Sequence, residues 1–201
     1  MADFQQSDGF KIIQNWLGEK NFSPFSFQLK TWEKYSRGYS GMVVAPTGFG
    51  KTYSVFLAVI TDFLNNPTQY KDGLKLVWIT PLRALAKDIA KAMNEAIAEI
   101  GLDWTVGVRN GDTPIAEKAR QVKKMPDILL VTPETLHLLL AQKNHQRYFK
   151  NLKCVAIDEW HELLGSKRGV LVELGLSRLF SYQNKIKIWG ITATIGNLDE
   201  A

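Results

Sequence analysis

Ala45-Pro46-Thr47-Gly48-Phe49-Gly50-Lys51-Thr52 follows a short β-branched run, 41–45, and opens an apolar stretch, 52–66, that stops before Pro67. It nearly matches G-x-x-x-x-G-K-[ST], the loop that wraps nucleotide phosphates when it stands between a strand and a helix. The residue types follow from that chemistry. Gly48 and Gly50 let the backbone turn with positive φ, so that successive N–H groups point at phosphate oxygens. The helix behind adds unpaired donors and the positive end of its dipole. Lys51 is placed to reach the β- and γ-phosphates, and the Thr52 hydroxyl to ligate Mg²⁺. Ala45 stands where the pattern has its first glycine.

Five further runs, 74–79, 104–109, 127–131, 153–157 and 187–191, are mostly apolar almost throughout, as strands buried on both faces are. Between them, 84–100 carries Leu85, Ile89, Met93, Ala96 and Ile100 on one stripe, and 169–182 reads as another helix. Alternating strands and helices predict parallel βαβ units. The expected fold class is α/β, a single P-loop domain with a mostly parallel central sheet and helices on both faces. Residues 1–40 read as two helices packed on the body formed by 41–201. Ser7 or Asp8 opens the first and Ser26 the second; Gly18 and Gly38 stop them. Thr80-Pro81, Thr113-Pro114 and Thr132-Pro133 each read as an N-cap threonine with proline at the first helical position. All three follow strands, so they mark the carboxyl edge of the sheet, where ligands of open α/β sheets bind.

A phosphate loop needs a carboxylate on a neighbouring strand. Asp158-Glu159-Trp160-His161 follows the run 153–157, some 107 residues beyond Lys51. Asp158 suits the Mg²⁺ role, and Glu159 suits orienting and deprotonating an attacking water. His161 has no second His or Cys at metal-ligand spacing, which excludes a zinc site. Arg83, in the first turn of its helix, works against the helix dipole and so points to a phosphate contact. Trp78, Trp104 and Trp189 lie in strands and Trp16 and Trp32 on amphipathic helices, all as core; Trp160 alone stands at the motif edge. Cys154 reads as a small buried hydrophobe. Lys123-Lys124 and Lys167-Arg168 read as solvated basic pairs.

Composition bounds the rest. The 201 residues are 45% hydrophobic with one cysteine, enough for a core without a disulfide. No apolar run approaches the roughly 18–20 residues of a membrane span, and the start lacks the pattern of a signal peptide. The expectation is a cytoplasmic domain with no membrane partner. Lys plus Arg exceeds Asp plus Glu by 25 to 20, a net +5 that suits a polyanionic partner and equally an ordinary basic protein.

Gly48-x-Gly50-Lys51-Thr52 with Asp158-Glu159-x-His161 resembles superfamily 2 helicases of the DExH type. More narrowly, the stretches TPLRALAKDIA, WTVGVRNGDT, DEWHELLGSKRG and TATIGNLDEA resemble the ligase-associated bacterial branch of Lhr-like DNA helicases. The likeness runs from about Phe25 to Ala201. It implies a RecA-like lobe that takes ATP and Mg²⁺, with Gln28, 23 residues before Lys51, reading adenine, and Thr47 and Phe49 in the phosphate loop. Lys51, Asp158 and Glu159 would carry catalysis; His161, Thr192 and Thr194 would couple the two ligand sites. Pro81, Arg83, Gly111, Asp112, Thr113, Thr132 and Pro133 would grip the backbone of single-stranded or partly duplex DNA. Phe49 stands where the family usually has a small residue, and Thr192 where serine is commoner. Phe10 could stack on adenine, although core packing explains it too. Nothing in the chain reads as a second P-loop-like half, so the resemblance implies the first of two motor lobes, the second supplying arginines for hydrolysis. It also implies DNA repair, with a DNA ligase and a nuclease as partners. Two other readings remain open at this point: a nucleotide-dependent nucleic-acid-binding module without turnover, and the lobe of an RNA helicase.

Overall fold

The structure, a computed structural model, describes residues 2–181, 183 and 185–193. Its strands are β1 (Gly41–Val44), β2 (Leu76–Ile79), β3 (Val106–Arg109), β4 (Ile128–Val131), β5 (Cys154–Ile157) and β6 (Lys187–Thr192). The helices, in chain order, are α1 (Ala2–Gln5), α2 (Asp8–Glu19), α3 (Ser26–Ser36), α4 (Lys51–Asn65), α5 (Arg83–Ile100), α6 (Ile115–Lys123), α7 (Pro133–Leu140), α8 (Gln146–Phe149), α9 (Trp160–Leu163) and α10 (Lys167–Phe180). The strands form one sheet in the order β1-β6-β5-β2-β4-β3, and each pair is parallel. This is the α/β class that the alternation of segments predicts.

The continuous apolar strands divide their side chains between two layers, because successive residues of a strand point to opposite faces. Leu76 and Trp78 of β2 join a core built with α2, α3, α4 and α5. Val77 and Ile79 join a second core built with α7, α8, α9 and α10. Hence α4 is apolar nearly all round: Val55 to Ile60 are buried, with the sheet on one side and α2 and α3 on the other. Trp16, Trp32, Trp78, Trp104 and Trp189 are buried, and so is Cys154.

Two local expectations need correction. Gly18 does not stop α2, which runs through it to Glu19; the chain turns at Asn21, whose φ is 59°. Of the three Thr-Pro pairs, only Thr132-Pro133 caps a helix as read, with the Thr132 hydroxyl accepting from the Thr135 N–H. α5 begins at Arg83 with Leu82 as its cap, and α6 at Ile115 with Pro114 as its cap. In both, the threonine hydroxyl is spent inside the loop: Thr80 accepts from the Leu82 N–H and Thr113 from the Asn110 N–H. A cap motif read locally loses here to turn hydrogen bonds made within the same few residues.

At the opposite, amino end of the strands, Lys75 is 4% exposed and would be costly to bury alone. Its amine lies 2.5 Å from Asp127 Oδ1 and donates to the Gly73 carbonyl at 3.0 Å, while Asp127 Oδ2 accepts from Thr105 N and Oγ1 at 2.8 and 2.9 Å. This pair ties the entries of β2, β4 and β3 together. Asp127→Ala leaves the amine buried without a counter-ion and lowers stability in urea by about 3 kcal/mol. Lys75→Met combined with Asp127→Asn, which keeps an acceptor for Thr105, costs less than that single change. Equal losses would show that the ion pair is not what matters there.

Candidate functional site

The sheet order places three carboxyl ends side by side, those of β1, β6 and β5, although the chain reaches them far apart. β1 leads into the loop 45–50. Ala45 is 3% exposed and its N–H donates to the Thr192 carbonyl at 3.3 Å, so the position that is glycine in the pattern holds a small buried side chain against β6. Its φ is not positive, and a glycine is not required. Gly48 and Gly50 do take positive φ, 86° and 72°. Gly50 is the left-handed cap of α4, and the loop curls so that the amine of Lys51 is buried without a hydrogen-bond partner.

Gln28 sits against this turn. Its Nε2 donates to the Gly50 carbonyl at 3.0 Å and its Oε1 accepts from the Phe25 N–H at 2.8 Å. These bonds fix the amide orientation and leave one N–H and one lone pair for a ligand. Phe25 and Phe49 are each 46% exposed, with ring centroids 5.5 Å apart. The residue that replaces a small one in the loop thus forms an aromatic patch beside Gln28. Phe10 has no part in it; it is buried edge-on to Trp32 in the core.

Asp158 and Glu159 leave the end of β5. The Asp158 carboxylate is 7% exposed, accepting from Trp78 Nε1 at 3.4 Å and from the Glu159 N–H at 3.0 Å. Burial, then the charge of Glu159, pushes its carboxyl up to about 6 from the ordinary 3.8, while the Trp78 and Glu159 hydrogen bonds and the Lys51 charge pull the other way. Glu159 has φ 48° and ψ 49°, a left-handed conformation that costs a non-glycine residue about 1–2 kcal/mol. His161 Nδ1 lies 3.5 Å from Glu159 Oε2 and is hydrogen-bonded to Thr192 Oγ1 at 3.0 Å, so the ring joins the β5 loop to the end of β6. Thr192 is fully buried, and Thr194 lies outside the described residues. Thr47 is exposed in the loop and Thr52 is half-buried in the first turn of α4.

The unpartnered Lys51 amine and the carboxylate that burial disfavours fit a nucleotide triphosphate with Mg²⁺. The phosphates would satisfy the amine, and Thr52 and Asp158 are the oxygen donors on hand for the ion.

The other half of the edge, the ends of β2, β4 and β3, carries the remaining sequence-predicted residues. Pro81 and Arg83 follow β2, Gly111, Asp112 and Thr113 follow β3, and Thr132 and Pro133 follow β4. Arg83 is not the lone cation that its helix position implies: Nη1 lies 3.3 Å from Asp112 Oδ1. Both side chains are more than half exposed, and a pair of that kind stabilises little and yields readily to a phosphate. Sequence reasoning missed Asn110, which is buried and whose Oδ1 accepts from the Asp112 N–H at 2.9 Å, shaping this loop. It also missed Trp78, read as core alone, whose indole N–H crosses from β2 to Asp158. The signal for Trp78 is its register opposite Ala156, two residues before Asp158, which is visible only once the strands are paired.

The Asp158 shift makes a signed prediction. Between about pH 4 and 6 the folded, ligand-free protein binds the proton more tightly than the unfolded chain does, so stability rises as pH falls through that window. Above about pH 7 the cost of the buried carboxylate is fully present, about 3 kcal/mol at most. The melting temperature of Asp158→Asn relative to the parent is therefore highest near neutral pH and declines towards pH 4. A difference that stays constant across that range contradicts the shift.

With the geometry in view, comparisons with known proteins agree. The family model described as DEAD/DEAH box helicase matches residues 25–201. The ATP-dependent helicase Lhr-Core of Methanothermobacter thermautotrophicus is 35% identical over 203 residues, covering 94% of this chain and 24% of the relative. The Lhr helicase/uracil glycosylase of Escherichia coli is 31% identical, covering 83% of this chain and 12% of the relative. Among solved structures, the Mycobacterium smegmatis helicase Lhr bound to ssDNA and AMP-PNP superposes with a TM-score of 0.82 at 32% identity, over 92% of this chain and 24% of that one. The chain thus spans a quarter or less of the length of these relatives. By its fold, its motifs and these matches, the chain belongs to the DEAD/DEAH box helicase family, as an Lhr-like RecA-like lobe.

Proposed function

We propose that this chain is the first motor lobe of an ATP-dependent DNA helicase or translocase acting in DNA repair, holding Mg-ATP at the β1, β6 and β5 ends and single-stranded DNA backbone at the β2, β4 and β3 ends. The observation that carries the nucleotide half is the Lys51 amine, buried with no hydrogen-bond partner among the described residues, behind two left-handed glycines. A cation left so needs an anion, and the loop's backbone donors and the α4 N-terminus define where it sits.

The residues divide the work by position. Lys51 and the loop N–H groups bind the phosphates. Gln28, already fixed at both ends of its amide, presents its spare donor and acceptor to the base. Asp158 and Thr52 hold Mg²⁺, which when bound offsets charge on the β- and γ-phosphates. Glu159, turned out of β5 by its left-handed backbone, orients water and accepts its proton. The second lobe supplies the arginine that stabilises charge on the transferring group, an effect worth about 10³–10⁵ in rate, so this lobe alone turns over slowly or not at all. His161 connects Glu159 to Thr192 within the nucleotide half, and Trp78 connects Asp158 to β2; through Trp78, a change at the phosphates reaches the nucleic-acid loops.

DNA is favoured over RNA because the 32%-identical structure was solved with ssDNA, whereas the likeness to the DEAD-box helicase Mss116 with ssRNA, at 22% identity, concerns the fold alone. The name of the Escherichia coli relative, which pairs helicase with uracil glycosylase, supports the repair setting.

Nucleotide affinity and phosphate release separate these roles. Lys51→Ala weakens Mg-ATP binding by at least about tenfold. Glu159→Gln keeps the binding and lowers turnover, measured with the second lobe and single-stranded DNA present, by about 10²–10⁴. Undiminished binding in the Lys51 variant removes the nucleotide assignment, and unchanged turnover in the Glu159 variant removes the assignment of the base. Binding of both ligands with no turnover even in the two-lobed protein would leave a binding module instead.

A further inference from the structure

The pair Lys167-Arg168 reads in the sequence as a solvated basic surface, but Arg168 does something more definite. Its Nε donates to Glu134 Oε1 at 2.7 Å and its Nη1 donates to the Pro81 carbonyl at 3.4 Å. One side chain from the start of α10 therefore grips the loop after β2 and the loop after β4, two neighbours in the sheet. We infer that Arg168 is a positioning residue for the nucleic-acid edge: its guanidinium sets the spacing of the Pro81 and Thr132 loops, and with it the spacing of the donors they offer a phosphate backbone. This rests on the reading of that edge given above.

The local sequence is built to aim this residue. The Ser166 hydroxyl caps α10 by accepting from the Gly169 N–H at 3.1 Å. Gly169 passes so close to the Leu163 carbonyl oxygen that a Cβ there would run into it, which seats the first turn of α10 tightly against α9. Further along, a Cβ at Gly175 would stand 3.3 Å from Leu136 of α7, so the two helices lie side by side. With Arg168 meeting Glu134, their N-termini share the same edge.

Stability does not explain the arrangement. A cation in the first turn of α10 opposes the helix dipole. The Arg168 and Glu134 side chains are 47% and 41% exposed, and ion pairs so open add little. Geometry does explain it. The peptide group is planar, so holding the Pro81 carbonyl also fixes the N–H of Leu82 on the far side of the same plane, where it meets Thr80 Oγ1 at 3.4 Å. That peptide leads directly into Arg83. At the other end, Glu134 lies in the first turn of α7, behind the Thr132 cap. Partial burial pushes the Glu134 carboxyl up, but the nearby dipoles of its own backbone N–H and the Thr132 hydroxyl, and then the Arg168 guanidinium, outweigh this and hold it below the usual range. A planar fork with donors on two edges holds both loops in one fixed relative geometry, which the freely rotating ammonium of a lysine does not impose.

The test is a double-mutant cycle on this chain, with Arg168→Ala, Glu134→Ala and the pair together. It is read by anisotropy of a fluorescein-labelled oligothymidylate about 20 nucleotides long, and in parallel by Mg-ADP affinity and melting temperature. Each single change is expected to weaken oligonucleotide binding about three- to tenfold, and the double change no more than the worse single one. The slope of affinity against salt stays that of the parent, since no phosphate contact is removed. Mg-ADP affinity stays level, and Arg168→Lys recovers only part of the loss. Unchanged oligonucleotide affinity in Arg168→Ala, or independent losses with a shallower salt slope, overturns the positioning role; the latter would make Arg168 a phosphate contact. A parent chain that binds Mg-ADP but no oligonucleotide overturns the reading of the edge itself, and the inference with it.

Discussion

A buried ammonium group without a hydrogen-bond partner among the described residues and a buried carboxylate raised out of its usual range, at the ends of β1 and β5, are the constraint around which this lobe is organised. Neither is favourable in the protein by itself. Under the proposed function both would become favourable when a polyanion and a divalent cation arrive together, the anion satisfying Lys51 and the cation offsetting the cost of ionising Asp158. The left-handed backbone of Glu159 belongs to the same pattern, a local strain at the residue proposed as the base.

The parallel sheet makes this possible. With the order β1-β6-β5-β2-β4-β3, the strand ends proposed for the nucleotide occupy one half of an edge and those proposed for the nucleic acid occupy the other. The boundary falls between β5 and β2, and the indole N–H of Trp78 spans it to reach Asp158. A second link, His161 to Thr192, ties the nucleotide carboxylates to the strand beside β1. On the far half, Arg83 with Asp112, and Arg168 with both Glu134 and the Pro81 carbonyl, fasten the segments after β2, β3 and β4 to one another. Loops of an α/β sheet are ordinarily free to vary; here side chains convert them into a connected surface.

Much of this was legible in the residues. The strands declare themselves as short β-branched runs, and the phosphate loop has a chemistry that few other arrangements need. The carboxylate pair could be found because a metal-binding strand end must follow a buried strand. What stayed hidden depends on pairing and approach. Trp78 looks like any buried tryptophan until its strand is laid beside Ala156. Arg168 looks like surface charge until α10 is laid along α7. The Thr80 and Thr113 hydroxyls looked like helix caps because the motif is local, whereas the competing N–H donors inside each turn depend on where the chain goes next. Phe49 read only as a large residue in place of a small one; beside Phe25 it is an aromatic surface next to Gln28.

The most direct test of the central claim is a crystal structure of this chain with Mg²⁺ and a non-hydrolysable ATP analogue. The prediction is that the Lys51 amine lies within about 3 Å of a β- or γ-phosphate oxygen, with the ion between the phosphates and the Thr52 and Asp158 oxygens. A nucleotide bound elsewhere, or one that leaves the Lys51 amine still without a partner, would contradict it.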